Sequence, residues 1–199
     1  MYYDARKNDH GLQYDPMKAI VAPRPIGWIS TLNEGGGVNL APYSFFNLVS
    51  YRPHYVMFSS HGRKDSLRNA EREGEFVCSV ATLHLFDEVN KTGASVAADV
   101  DEMQMANLES KPSQFVKPPR VAKSPASLEC RYHQTVELPA ADAQADPYLM
   151  VIGEVVGVYI DDKVLKDGRY SADMVKALGR LGYFDYTVAG ALANTDVTS

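Results

Sequence analysis

Two long runs in the second half of the chain set the strongest limit on its fold. From Ser127 to Leu138, the residues Leu128, Cys130, Tyr132, Val136 and Leu138 alternate with Glu129, Arg131, His133, Thr135 and Glu137. That period of two belongs to a strand with one face covered. From Tyr148 to Ile160 the chain is almost continuously apolar and rich in valine, with Gly153 and Gly157 inside it. Such a run reads as a strand buried on both faces. Glycines within a strand mark a bend or the close approach of another backbone, as at a barrel corner. The run is interrupted by Glu154 and is too short to span a bilayer.

The first half adds shorter pieces of the same kind. Ile26 to Leu32 predicts a strand, Asn33-Glu34-Gly35-Gly36-Gly37 a flexible turn, and Val38 to about Tyr51 a second extended segment. Together they form a hairpin signal. His54 to Ser60 and Glu75 to Thr82 predict further strands, the latter with Phe76, Cys78 and Val80 on one face. Between them, Lys64 to Glu73 predicts a short helix, with Asp65 or Ser66 as its N-cap and Gly74 as its stop. Leu83 to Asn107 predicts helical pieces broken at Gly93, and Ser171 to Arg180 a last helix. Pro112, Pro118, Pro119 and Pro125 predict an ordered loop or extended crossover. Six or so strands, with helices inserted rather than alternating, imply a mainly β fold, a closed antiparallel barrel. A parallel sheet would need a helix after nearly every strand.

The 199 residues suit a single domain spanning residues 1–199. The formal net charge of −5 is spread evenly, with 11 acids and 10 bases in residues 1–100 and 14 and 10 in residues 101–199. Nucleic acid is a poor partner for a chain without a basic excess. Met1 to His10 is polar, without the apolar core of a signal peptide, so a cytoplasmic protein away from membranes is expected. Cys78 and Cys130 belong to no CxxC pair and read as small buried apolar residues. Five histidines show no HExxH or other tight ligand spacing, so no metal site is expected. A GxSxG elbow, a P-loop and a GxGxxG fingerprint are all absent.

Two places carry chemistry. Ser59-Ser60-His61-Gly62-Arg63-Lys64-Asp65-Ser66 runs from a strand end through a turn into a helix start. Unpaired N–H groups and the positive dipole end of a first helical turn attract phosphate. Ser60, Arg63, Lys64 and Ser66 would complete such a cradle. The same residues also fit a surface helix with an ordinary cap and solvated cations, with His61 as a plain turn residue. On either side of the glycine turn, Trp28-Ile29-Ser30-Thr31 and Asn39-Leu40-Ala41-Pro42-Tyr43-Ser44-Phe45-Phe46-Asn47 place hydroxyls and amides beside an apolar wall. That is the composition of a pocket for a flat heterocycle. It equally suits core aromatics with hydroxyls at turns.

Several runs recur in a telling order: Arg24-Pro25-Ile26-Gly27-Trp28-Ile29-Ser30-Thr31, Asn39 to Phe46, Lys64-Asp65-Ser66 with Asn69, and Gly74-Glu75-Phe76-Val77. Pro119-Arg120-Val121, Leu128-Glu129-Cys130, Gly153-Glu154-Val155-Val156 and Leu181-Gly182-Tyr183 with Tyr186 follow. In order and spacing, from about residue 15 to about residue 188, the chain resembles the flavin reductase-like family of FMN-binding split barrels, which includes flavoredoxin and NAD(P)H:flavin oxidoreductases. Ser66 stands where threonine is more familiar after Lys-Asp, and it keeps the hydroxyl.

The resemblance implies a closed antiparallel split β-barrel with inserted helices, holding FMN and taking NAD(P)H as a transient electron donor. It implies a homodimer, with a monooxygenase or another electron acceptor as partner. Ser30, Thr31 and Leu32 would edge the isoalloxazine, and Ala41, Ser44 and Phe45 would border the ring and ribityl chain. Ser60, Arg63, Lys64 and Ser66 would hold the phosphate. Asp65 would order that loop, Asn69 would support it, and Tyr183 and Tyr186 would close the site from the same or the partner subunit. Hydride passage from nicotinamide to flavin needs no side-chain acid or base, so no catalytic residue is implied. The implied function is an FMN-dependent NAD(P)H oxidoreductase. The alternative is a non-catalytic FMN carrier reduced by a partner protein.

Overall fold

The computed structural model describes residues 1–142 and 144–190. Seven strands form one antiparallel sheet: β1 Gly27–Leu32, β2 Val38–Tyr43, β3 Phe46–Tyr51, β4 His54–His61, β5 Glu75–Val80, β6 Ala126–Leu138 and β7 Tyr148–Ile160. Across the sheet they run β2-β1-β5-β6-β7-β4-β3. The two end strands, β2 and β3, are consecutive in the chain and joined only by Ser44 and Phe45. The sheet therefore has to curl until its edges approach. The Phe45 carbonyl accepts from the Ser59 N–H at 2.8 Å, which pins this corner to β4. Among the described residues no ladder joins β2 to β3. The expected closed barrel is thus met as a curled, mainly β sheet rather than a hydrogen-bonded ring. Pro42, which has no N–H to give, sits on the edge strand β2, where none is needed.

The glycines of β7 make the bends. The β6–β7 ladder shifts register between Ile152 and Gly153 and again between Val155 and Gly157. A Cβ on Gly153 would lie 2.4 Å from the Phe76 ring, and one on Gly157 would lie 2.5 Å from the Phe115 ring. The first shift also breaks the alternation of β6. Tyr132 pairs with Gly153 but Gln134 pairs with Ile152, so Thr135 faces the same way as Tyr132. Their hydroxyls lie 3.0 Å apart, and Thr135 donates to Glu71 at 2.8 Å. The strict period of two therefore holds only as far as Tyr132, because an inserted residue flips every later side chain.

Strand β1 is covered on both faces. Ile29 joins Phe58, Phe76, Cys78, Cys130 and Val151 in one core, while Trp28 joins Leu40, Leu85, Val89, Met103 and Val121 in another. The indole N–H of Trp28 donates to Thr92 Oγ1 at 2.9 Å, which satisfies its one polar atom. Helix α1, Asp65–Glu73, sends Leu67 and Ala70 into the first core and so plugs the curl. It ends at Gly74, whose φ of 74° lies in the left-handed region that glycine enters freely. Both cysteines are free and buried in that core, and burial pushes the Cys78 thiol up.

Two local expectations need correction. Neither Asp65 nor Ser66 is the N-cap of α1; Lys64 is, in extended conformation and with no side-chain cap bond. The Asp65 carboxylate turns to Arg68, and Ser66 Oγ accepts from Asn39 Nδ2 at 2.8 Å, so both are engaged elsewhere. The expected helix from Ser171 to Arg180 shrinks to one turn, Ala172–Val175. Its end instead forms the strand Leu178–Arg180, between Arg24–Pro25 and Tyr186–Val188 in a separate three-stranded sheet. Pairing with distant segments outweighs local helical periodicity there. Among the described residues no helix is long and apolar enough to cross a membrane, and no cluster of metal-ligating side chains occurs.

Candidate functional site

A cleft of about 750 Å³ lies where the β2–β3 corner, the start of α1 and the small sheet meet. The volume is that of a small-molecule site. The corner contributes Ala41, Tyr43, Ser44 and Phe45, and the β4–α1 turn contributes His61, Arg63, Lys64, Asp65 and Ser66. The small sheet and the loop after it contribute Arg24, Arg180, Leu181, Tyr183 and Tyr186.

Six arginines and lysines line this cleft against two carboxylates, Asp65 and Glu102, in a chain whose formal net charge is −5. The local field thus opposes that of the molecule and favours anionic ligands. Arg63 pairs with Glu71, and Arg68 with Asp65. Lys64, at the very start of α1, has no carboxylate partner among the described residues. Because no side chain caps α1, the N–H groups of its first turn keep their capacity for an anion.

A buried amide network fixes this end of the cleft. Asn39 Nδ2 donates to Ser66 Oγ at 2.8 Å and to Thr31 Oγ1 at 3.1 Å. Asn69 Nδ2 donates to Thr31 Oγ1 at 3.2 Å and to Asn33 Oδ1 at 2.8 Å. The hairpin and the helix are thereby tied together. Burial pushes the Tyr43 phenol up, with hydrogen bonds to Ser66 and Ser60 acting the other way. Burial also pushes the Glu102 carboxyl up. The Leu40 N–H, which donates to Glu102 Oε2 at 3.0 Å, opposes that shift, and the nearby Asp65 and Asp101 reinforce it.

Of the expected contact residues, Ala41, Ser44, Phe45, Arg63, Lys64 and Ser66 line the cleft. Ser30, Thr31, Leu32 and Ser60 do not line it. The Ser30 hydroxyl donates to the Pro119 carbonyl at 2.6 Å, Thr31 serves the amide network, and Ser60 donates to the Gly62 carbonyl at 2.9 Å. The Leu32 carbonyl accepts from Arg72 Nη2 at 2.7 Å. Tyr183 and Tyr186 line the cleft of their own chain. Sequence reasoning missed Arg180 and Glu102 altogether and gave Arg24 no role. Arg24 lies inside a telling run, but nothing local to Arg180 or Glu102 signals a site.

The flavin reductase like domain, as a family model, matches residues 18–187. The chain belongs to the flavin reductase-like family. The uncharacterised protein YwrF of Bacillus subtilis is 34% identical over 185 residues, covering 89% of each chain. Among solved structures, nitrilotriacetate monooxygenase component B from Bacillus cereus superposes with a TM-score of 0.90 at 25% identity, over 98% of both chains. Flavoredoxin of Desulfovibrio vulgaris superposes with a TM-score of 0.80 at 17% identity, over 100% of this chain and 99% of that one. The curled sheet with its few helices is thus the fold of flavin reductase-like proteins from one end of the match to the other.

Proposed function

We propose that this flavin reductase-like chain is an FMN-dependent oxidoreductase that takes hydride from NADH or NADPH and passes electrons to an acceptor. The observation that carries this reading is the cationic cleft at the uncapped start of α1. Its residues fit the group. Lys64, Arg63, the Ser66 hydroxyl and the first-turn N–H groups suit a phosphate dianion, with Ser60 backing the turn. Phe45 and Tyr148, with ring centroids 5.8 Å apart, offer a wall for a flat ring. In this reading Ala41 and Ser44 border the same wall, while Ser30 and Thr31 steady β1 through the Pro119 carbonyl and the amide network.

Bound there, FMN supplies the chemistry of hydride acceptance and electron release. The chain's own work is to orient and to shield. The amide network holds Ser66 and the hairpin in fixed register, and Tyr183 and Tyr186 narrow the mouth against water. No side-chain acid or base takes part. The likeness to a monooxygenase component supports a separate oxygenase or redox protein as acceptor. A homodimer belongs to the same proposal. Edge strand β3 carries a bulge and leaves Leu48, Val49 and Tyr51 each more than half exposed, a surface that a second copy would cover. Two free buried thiols are in keeping with the reducing cytoplasm.

The test is a visible spectrum of protein mixed with FMN and desalted, followed by anaerobic addition of NADH or NADPH. Retained yellow colour that bleaches is the expected result. Retained colour that neither nicotinamide bleaches would make the protein a carrier reduced by a partner. No retained flavin, together with no turnover of NAD(P)H on free FMN, would overturn the reading.

A further inference from the structure

Arg24 and Arg180 face each other in the antiparallel ladder between Arg24–Pro25 and Leu178–Arg180, and both line the cleft. Like charges directly opposite destabilise a strand pair. Among the described residues neither guanidinium has a carboxylate partner. Arg24 is only 7% exposed. Its Nη1 donates to the carbonyls of Lys18 and Val21, its Nη2 donates to Leu181 at 2.9 Å, and its Nε has no partner. A buried donor left without an acceptor is uncommon and costly. Arg180 is also held, 4.3 Å over the Tyr186 ring and donating to the Tyr183 carbonyl at 2.7 Å, yet it stays partly open to solvent. The Arg24 guanidinium lies 5.8 Å from the centroid of Phe45. Arg24 therefore lies against a ring of the wall assigned to the flavin, and the pair sits on different elements from Lys64 and α1.

We propose that Arg24 and Arg180 form a second anion subsite, which binds the phosphate or carboxylate group of the molecule that exchanges electrons with the flavin. This rests on the flavin reading above and adds a recognition element to it. Two immobilised guanidiniums present forked donors that match the oxygens of an oxyanion better than a single ammonium does. Their mutual repulsion is relieved when such a group arrives. A dinucleotide donor brings a pyrophosphate, and an organic-acid acceptor brings a carboxylate. The recognising chemistry is the same.

Calorimetric titration of the FMN-loaded protein with pyrophosphate and, separately, with benzoate tests the subsite. The wild type is expected to bind at least one of them, and Arg180→Gln is expected to weaken that binding by about tenfold or more. Arg180→Lys should recover part of the loss, and Arg180→Gln should weaken FMN far less than Lys64→Ala does. Tighter pyrophosphate marks a dinucleotide phosphate as the source, and tighter benzoate marks a carboxylate. Substituting Arg180 spares Arg24, whose three carbonyl contacts hold the chain together. The proposal is overturned if the wild type binds neither anion, if Arg180→Gln binds as the wild type does, or if Arg180→Gln loses FMN itself. Should the wild type take up no FMN, the flavin reading fails instead. The same titrations of wild type and Arg180→Gln without flavin then still decide the subsite.

Discussion

Gly153 lets β7 press its backbone against Phe76, and nothing larger fits. A methyl group there would meet the fully buried Phe76 ring at 2.4 Å and the Arg131 carbonyl at 3.1 Å. Gly153→Ala should therefore cost about 2 kcal/mol or more in a denaturant melt. Gly35→Ala, in open space at the hairpin turn, should stay within about 0.5 kcal/mol. Equal effects at the two sites would refute the packing argument. Glu102 makes a second prediction, of opposite sign. Because burial raises its proton affinity in the folded chain, its stabilising contribution is complete below the ordinary carboxylate range. That contribution is lost as pH rises through the raised value. Glu102→Gln keeps an acceptor for the Leu40 N–H but removes the charge. The variant should melt higher than the wild type at about pH 8, and the gain should vanish on acidification. A gain that does not change with pH would show that the carboxyl charge is not its cause.

At the scale of elements, legibility depends on where the deciding contacts lie. The Tyr148–Ile160 strand could be read to its ends, because composition and its two glycines are local properties of that run. Helix α1 could be read for the same reason, down to the glycine that stops it. Leu178–Arg180 could not, since its partners lie at Arg24–Pro25 and Tyr186–Val188 and only the folded chain brings them together. The site splits along the same line. Lys64 and Ser66 stand out because a helix start is a sequence pattern. The burial of the Ser30 and Thr31 side chains does not, because it depends on Pro119, Asn39 and Asn69. Edge strand β3 gives a prediction at this scale. The wild type should elute from a light-scattering column as a dimer, and Leu48→Lys should shift it towards monomer, since a charge on an exposed apolar edge blocks pairing. A wild type that is monomeric at working concentration would remove the dimer from the proposal.

For the whole molecule, the decisive contrast is a positive cleft in a negatively charged chain. The mainly β class could be read from the order of strands and inserted helices, but the closed barrel expected from them is met only as a curled antiparallel sheet. The charge contrast could not, because Arg24, Arg63, Lys64 and Arg180 are scattered along the sequence and only gather on folding. Screening follows directly: at about 1 M salt the Debye length falls to about 3 Å, so FMN affinity should drop several-fold. Insensitivity to salt would mean that the ring alone holds the ligand. The most direct measurement compares FMN with riboflavin, which lacks only the phosphate, in the same fluorescence titration. FMN is expected to bind about a hundredfold more tightly, with most of that margin lost in Lys64→Ala. Equal affinity for the two flavins, or binding of neither, would contradict a phosphate held at the start of α1.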